Sequence, residues 1–185
     1  DTVLKTAISD LEVDQREVNS KLYHIRYPIE NSEDFITIAT TRPETMLGDT
    51  AIAVNPSDER YKKVVGKFVT IPLVGRKIKI IEDEYADPEQ GTGAVKITPA
   101  HDFNDYEVGE RNNLEIINVF TENGKINENA PKEFIGLDRF EARKQLLKKL
   151  KENNFFVEEE NIKNKVPYGD RSNSIIEPFL TEQWF

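Results

Sequence analysis

The chain has 185 residues, 37% hydrophobic and 32% charged, with a net charge of −9 at pH 7 and no cysteine. Length and composition predict one soluble, folded domain and exclude the disordered and fibrous classes. The missing thiols exclude a disulfide framework, a thiolate zinc site and a cysteine nucleophile, and the acidic balance argues against a protein that grips long nucleic acid by itself.

The opening residues DTVLKTAISD lack both a basic start and an apolar core of a signal segment. No run approaches the roughly 20 apolar residues that cross a bilayer. The chain starts without Met and ends on Gln183-Trp184-Phe185 with no turn or polar tail behind it, which reads as a piece of a longer protein.

Period-two runs then dominate the first hundred residues: Tyr23, Ile25 and Tyr27; Phe35 to Ala39; Thr50 to Val54; Lys67 to Leu73; Arg76 to Ile81; and Ala94 to Thr98. Pro and Gly punctuate them, as tight turns and strand ends require. These runs predict a β-rich body, a barrel or strongly curled sheet. A helix is predicted from Asp102 to about Asn113, directly after the bend Pro99-Ala100-His101. Glu122-Asn123-Gly124, between Ile116–Phe120 and Lys125–Asn127, predicts a type I′ hairpin. A second helix is predicted from Asp138 to about Asn153, with Asp138 and Glu141 as a capping box ahead of Phe140, Leu146, Leu147 and Leu150.

Two segments could carry chemistry. Thr40-Thr41-Arg42-Pro43-Glu44-Thr45 packs hydroxyls, a guanidinium and a carboxylate behind a strand end, which suits an anion or a carbonyl; it is equally the composition of a hydroxyl-rich turn fixed by Pro43. Gly91 to Asp105 combines a glycine turn, a strand, a bend and a helix start. Along a strand Lys96 and Thr98 point the same way, and Asp102 and Asp105 are neighbours on the first helical turn. The pair also fits an N-cap with an acidic third residue, which satisfies free N–H groups and complements the helix dipole. His101 beside these carboxylates raises a metal site, but the other histidine, His24, lies in a strand pattern of its own, so metal is the weaker reading. No G-x-S-x-G elbow, Walker loop or G-x-G-x-x-G is present.

Thr40 to Pro56, TTRPETMLGDTAIAVNP, resembles the threonine-rich peptide in the editing (connective peptide) domain of valyl-tRNA synthetases, class Ia aminoacyl-tRNA synthetases. Gly91 to Gly109, GTGAVKITPAHDFNDYEVG, resembles that domain's second signature, and TAISDLEV, LVGR and VPYGDRS…IEPFLTEQWF match its flanks in order. Glu44 and Leu47 depart from the isoleucyl and leucyl patterns, which favour Trp and Phe there. Gln90 departs from the valyl pattern, which usually carries Phe before Gly91.

The resemblance implies an α/β, β-rich fold with a barrel-like core and peripheral helices. It implies one editing domain over residues 1–185, with 1–20 and 165–185 as connecting segments to the parent's catalytic domain. The implied function is an aminoacyl-tRNA deacylase that hydrolyses threonine mischarged onto valine tRNA. A passive module for the tRNA 3′ end and an isoleucyl-type editor are the alternatives. Asp105 is placed on the α-ammonium; Thr98, Asp102 and Lys96 around the threonine side chain; Thr41 and Arg42 near the ester carbonyl and terminal ribose; Thr40, His101 and Gln90 in the binding site. The implied partner is the 3′-terminal CCA of valine tRNA, in the cytoplasm and with no membrane. No metal or cofactor is implied for this domain, whereas the parent enzyme uses ATP and magnesium.

Overall fold

The computed structural model describes residues 1–7 and 12–178. Gln183-Trp184-Phe185 and parts of both terminal signatures lie outside the described residues. In chain order the strands are β1 (Val13–Pro28), β2 (Phe35–Thr40), β3 (Ala51–Val54), β4 (Phe68–Thr70), β5 (Lys77–Glu82), β6 (Val95–Ile97) and β7 (Phe156–Gly169); the helices are α1 (Phe103–Arg111) and α2 (Arg139–Glu152).

The strands make two sheets, β2-β1-β7 and β4-β5-β3-β6. In the second, β3 pairs parallel to β5 and antiparallel to β6. The body is α/β and β-rich, as expected, but among the described residues no ladder closes it into a barrel: the sheets are stitched by the bridge Ile29–Val69 and by Glu30 N–H donating to the Phe68 carbonyl at 2.8 Å. The two long strands β1 and β7 outrun β2, so residues 13–22 pair with β7 alone as a ribbon. This ribbon contains part of both segments expected to be connectors.

Every residue of β3 is buried, and its two faces differ in size. Ile52 and Val54 enter the main core with Ile25, Tyr27, Ile38, Met46, Leu47 and Ile80. Ala51 and Ala53 face the other way, packing with Ile97, Ala86 and Val108 of α1. Small side chains on that face let the helix approach the sheet closely, which brings its first turn against the end of β6.

Both predicted helices form, capped by Asp102 and Asp138. In α2 the inward stripe is Ala142, Leu146 and Leu150, at the i, i+4, i+8 spacing of one face. Phe140 is 41% exposed, its ring covered by the guanidinium carbons of Arg139 and Arg143 at 4.7 and 5.2 Å. Asp138 accepts from Phe140 N–H at 3.0 Å; Glu141 makes no return bond to it and meets Gln145 at 3.5 Å. The hairpin at Thr121–Lys125 also differs from expectation. Gly124 has φ 76° while Asn123 stays at negative φ, so the turn is a three-residue loop with glycine in the left-handed position, not type I′.

Candidate active site

The two sequence signatures meet at the end of β6. After β2 the chain turns through Arg42 into a 3-10 helix, Pro43–Gly48. Gly48 is required at its end: a Cβ there would lie 2.8 Å from the Ile117 carbonyl oxygen and 3.4 Å from Thr98 Cγ2. The turn delivers Thr45 and Asp49 to Lys96 and Thr98. Lys96 Nζ donates to Thr45 Oγ1 at 2.8 Å and to Thr98 Oγ1, and pairs with Asp49 Oδ1 at 2.8 Å. Because an ammonium can only donate, the remaining proton directions follow. Thr98 Oγ1 donates to Asp49 Oδ1 at 2.7 Å, and Tyr27 O–H donates to Asp49 Oδ2 at 2.6 Å. Thr45 Oγ1 donates to the Arg42 carbonyl at 3.0 Å.

All three Lys96 protons are therefore taken by protein acceptors. Asp49 is wholly buried; burial pushes its carboxyl above the ordinary range, and the Lys96 ammonium works against that. Tyr27 is pushed well up by burial and by the Asp49 charge.

At the start of α1 the two carboxylates make different bonds. Asp102 Oδ1 accepts from Asn104 N–H at 2.9 Å and Asp105 N–H at 3.0 Å, the N-cap pattern. Asp105 reaches back instead of capping: its Oδ2 accepts from Thr98 N–H at 2.9 Å. No hydrogen bond from the described residues reaches its Oδ1. Burial, and then the Asp102 charge, push the Asp105 carboxyl up to about 7. Tyr85 belongs to this corner too, on a turn that Asp83 ties to Arg111 at 2.9 Å and to Asn112 at 3.0 Å. Burial and the charges of Asp105 and Asp102 push its phenol up to about 12.

A cluster of guanidinium groups flanks this network. Arg42 donates to the His101 carbonyl at 2.8 Å, pairs with Glu177, and lies 3.8 Å from Glu44. Glu44 is fully buried and takes a two-bond fork from Arg143 of α2 at 2.7 and 2.8 Å. Arg139 of α2 pairs with Glu177 at 2.8 Å. Among the described residues no group of three or more His, Asp or Glu is arranged to hold a metal ion.

Over its whole length the chain is 85% identical to the valine–tRNA ligase of Pelagibacter ubique (strain HTCC1062) and 56% identical to that of Geobacillus stearothermophilus. The chain belongs to the valine–tRNA ligase family. It spans 21% of the length of each of these two relatives, about a fifth. A family model described as "Leucyl-tRNA synthetase, editing domain" matches residues 59–139. Two solved structures share the fold. One is a leucyl-tRNA synthetase CP1 domain (GlLeuRS-CP1), with TM-score 0.58 and 14% identity, covering 74% of this chain and 98% of that one. The other is the Agrobacterium radiobacter K84 AgnB2 leucyl-tRNA synthetase in ternary complex with tRNA and LeuAMS, with TM-score 0.57 and 22% identity, covering 80% of this chain and 20% of that one. The chain is thus an editing domain of the valine–tRNA ligase family, in a fold also seen in leucyl enzymes.

Within this family member the expected site residues fall into three groups. Thr41, Arg42, Asp102 and Thr40 are half-buried, and the Thr41 hydroxyl has no hydrogen bond to the described residues. Asp105, Lys96 and Thr98 are buried, at 7%, 6% and 1% exposure. His101 is fully buried. Its Nε2 accepts from Val119 N–H at 2.9 Å and its ring packs on Phe120 at 4.5 Å. Burial, then Arg42, push it down to about 3, so the ring is neutral. What His101 presents to its neighbours is the carbonyl that seats Arg42. Gln90 is exposed, on a turn beside β2: a Cβ on Gly91 would lie 3.2 Å from the Ala39 side chain. Sequence reasoning missed Tyr27, Asp49, Arg139, Arg143 and Glu177, whose partners are distant in sequence. Asp49 alone carried a signal, as an acidic residue inside the threonine-rich peptide.

Proposed function

We propose that the domain is an aminoacyl-tRNA deacylase that hydrolyses the ester of threonine mischarged onto valine tRNA. The supporting observation is Asp105, a buried carboxylate with one oxygen fixed by Thr98 N–H and the other without a donor among the described residues. A carboxyl raised to about 7 marks a charge that its surroundings leave uncompensated. The α-ammonium of an aminoacyl ester supplies that compensation and, once paired, fixes where the ester carbonyl lies.

Asp102 then meets the threonine side chain, Lys96 and Thr98 form the wall around it with their own hydrogen bonds already made to Thr45 and Asp49, and Thr41 and Arg42 lie toward the carbonyl and terminal ribose. A water attacks the carbonyl, the bond to the ribose oxygen breaks, and threonine and free tRNA leave. Electrostatics and orientation carry the step, without a covalent intermediate. The need for such a site is chemical: an apolar pocket rejects threonine against isosteric valine by only about 10², a ratio already established for valyl-tRNA synthetases themselves. Valine in the editing pocket leaves polar groups unpaired at a cost of about 1–3 kcal/mol. The 3′-terminal CCA of valine tRNA, the parent's catalytic domain with its ATP and magnesium, and a cytoplasmic setting complete the proposal.

The test is deacylation of Thr-tRNA(Val) and Val-tRNA(Val) by the chain at high concentration, beside Asp105→Ala. Selective loss of threonine, abolished by the substitution, is expected. Preferential release of valine identifies an isoleucyl-type editor, and tRNA binding without hydrolysis leaves a passive 3′-end module, the reading toward which exposed Gln90 leans.

A further inference from the structure

Arg42 is the one guanidinium that both signatures share, and three groups hold it in place. The His101 carbonyl accepts from Nη1 at 2.8 Å, the buried Glu44 carboxylate lies 3.8 Å from Nε, and Glu177 takes Nη2. Glu177 comes from outside both signatures. Its chain segment returns from the end of β7, with Ile176 N–H donating to the Pro167 carbonyl at 2.9 Å, and Arg139 donating to the Ile175 carbonyl at 2.9 Å. Its side chain is 6% exposed and bridges Arg42 and Arg139, the latter at 2.8 Å. A surface ion pair of ordinary kind orders little, but a carboxylate this buried, with two guanidinium groups on it, fixes geometry.

From this bridge we infer that Glu177 is a positioning residue of the deacylation site: it sets the direction of the Arg42 guanidinium, and Arg139 holds Glu177 for that purpose. The inference rests on the deacylase reading above. Charge counting excludes the alternative that Glu177 simply cancels Arg42. Arg42, Arg139, Arg143 and the Asp1 ammonium stand against Glu44, Glu177 and the Asp1 carboxylate, four positive groups against three negative, so one net positive charge remains. Arg42 keeps 29% of its side chain exposed, so Glu177 holds it without covering it. The cluster accordingly stays attractive to the anionic 3′ end of the tRNA while one of its cations is aimed.

This arrangement has a kinetic signature. Glu177→Gln removes a negative charge, which favours the polyanionic substrate, and at the same time releases Arg42. The chain should lose kcat for Thr-tRNA(Val) by about ten- to a hundredfold, the cost of a misplaced group, with KM unchanged or lower. Arg139→Gln, further from the reacting ester, should show the same split in weaker form. In an Arg42→Lys background, Glu177→Gln should add less than twofold. An activity-independent readout is the Arg42 Nε–H resonance, assigned by its loss in Arg42→Lys, which should exchange faster with water in Glu177→Gln.

Thermal melts of each variant report whether it folds. An inactive wild-type chain overturns the deacylase reading and this inference with it. An active wild type with Glu177→Gln unchanged, or faster, overturns the positioning role alone, as does a fall in kcat that persists undiminished in the Arg42→Lys background.

Discussion

Asp49→Asn tests the buried network most sharply. The carboxylate is 0% exposed and accepts from Lys96, Thr98 and Tyr27 at 2.8, 2.7 and 2.6 Å. Asparagine matches its size and keeps an oxygen for Lys96 and Thr98, so little packing is lost. What is lost is the counter-charge of an ammonium that is itself 6% exposed. Leaving one member of a buried pair uncompensated costs about 3–5 kcal/mol, and the retained hydrogen bonds place this variant near the lower end, about 3 kcal/mol. For a domain of this size each kcal/mol moves Tm by about 2–4 °C, so the melt at pH 7 should fall by roughly 6–12 °C. Circular dichroism melts check it. Lys96→Met in the same chain removes the stranded charge and should recover part of the loss, a coupling that a double-mutant cycle isolates. A single variant within about 2 °C of wild type, or a double variant no more stable than the single, refutes the account.

Two further outcomes follow from the site. Asp105 must be ionised to hold an ammonium, so deacylation should rise through an inflection near pH 7, and pH–rate profiles of Asp105→Asn should lack it. Stability moves the other way. A carboxyl raised in the folded state contributes stability that is full below its unfolded value and is lost as pH rises through about 7, so Asp105→Asn should gain on wild type between pH 5 and pH 8 in melts. Gln90→Phe restores an aromatic on the exposed turn beside β2. Stacking on a terminal base is worth about 1–3 kcal/mol, so KM for the tRNA should fall by roughly 5- to 150-fold, with kcat little changed.

Local pattern made most of the body legible. β2, β3, β5 and β6 follow runs of alternating or continuous apolar residues, and both helices begin at the predicted Asp caps. The ribbon of β1 and β7 was not legible, because its alternation is sparse: Val18 and Leu22, and Ile162 and Val166, share a face that is only half-buried, with polar Ser20 and Asn164 between them. Asp14-Gln15-Arg16-Glu17 and Glu158-Glu159-Glu160 are polar on both faces. The strands are held by their ladder and by cross-strand contacts, such as Lys21–Glu159 at 3.2 Å and Arg16 over the Tyr168 ring at 4.4 Å. Strand preference of this kind comes from partners across the sheet, and a single sequence does not display partners.

The same limit divides the site. Residues that touch one another within a signature, Lys96 with Thr98 or Asp102 with Asp105, announce themselves through strand and helix spacing. Residues that act by neutralising or aiming a signature residue do not. Tyr27 lies 22 residues from Asp49, Arg143 lies 99 from Glu44, and Glu177 lies 135 from Arg42. Each of these three was readable beforehand only as an aromatic strand position, a helix surface charge or a flank. Yet the cost of burying Asp49, Glu44 and Lys96 requires such partners to exist, since an unpaired buried charge costs far more than an ordinary hydrogen bond returns. A buried charged residue in a signature is therefore itself a statement about the rest of the chain: its compensating groups must come from elsewhere in the fold, and here Asp49 and Lys96, one from each signature, answer each other with Tyr27 of β1 beside them, while Arg143 of α2 answers Glu44.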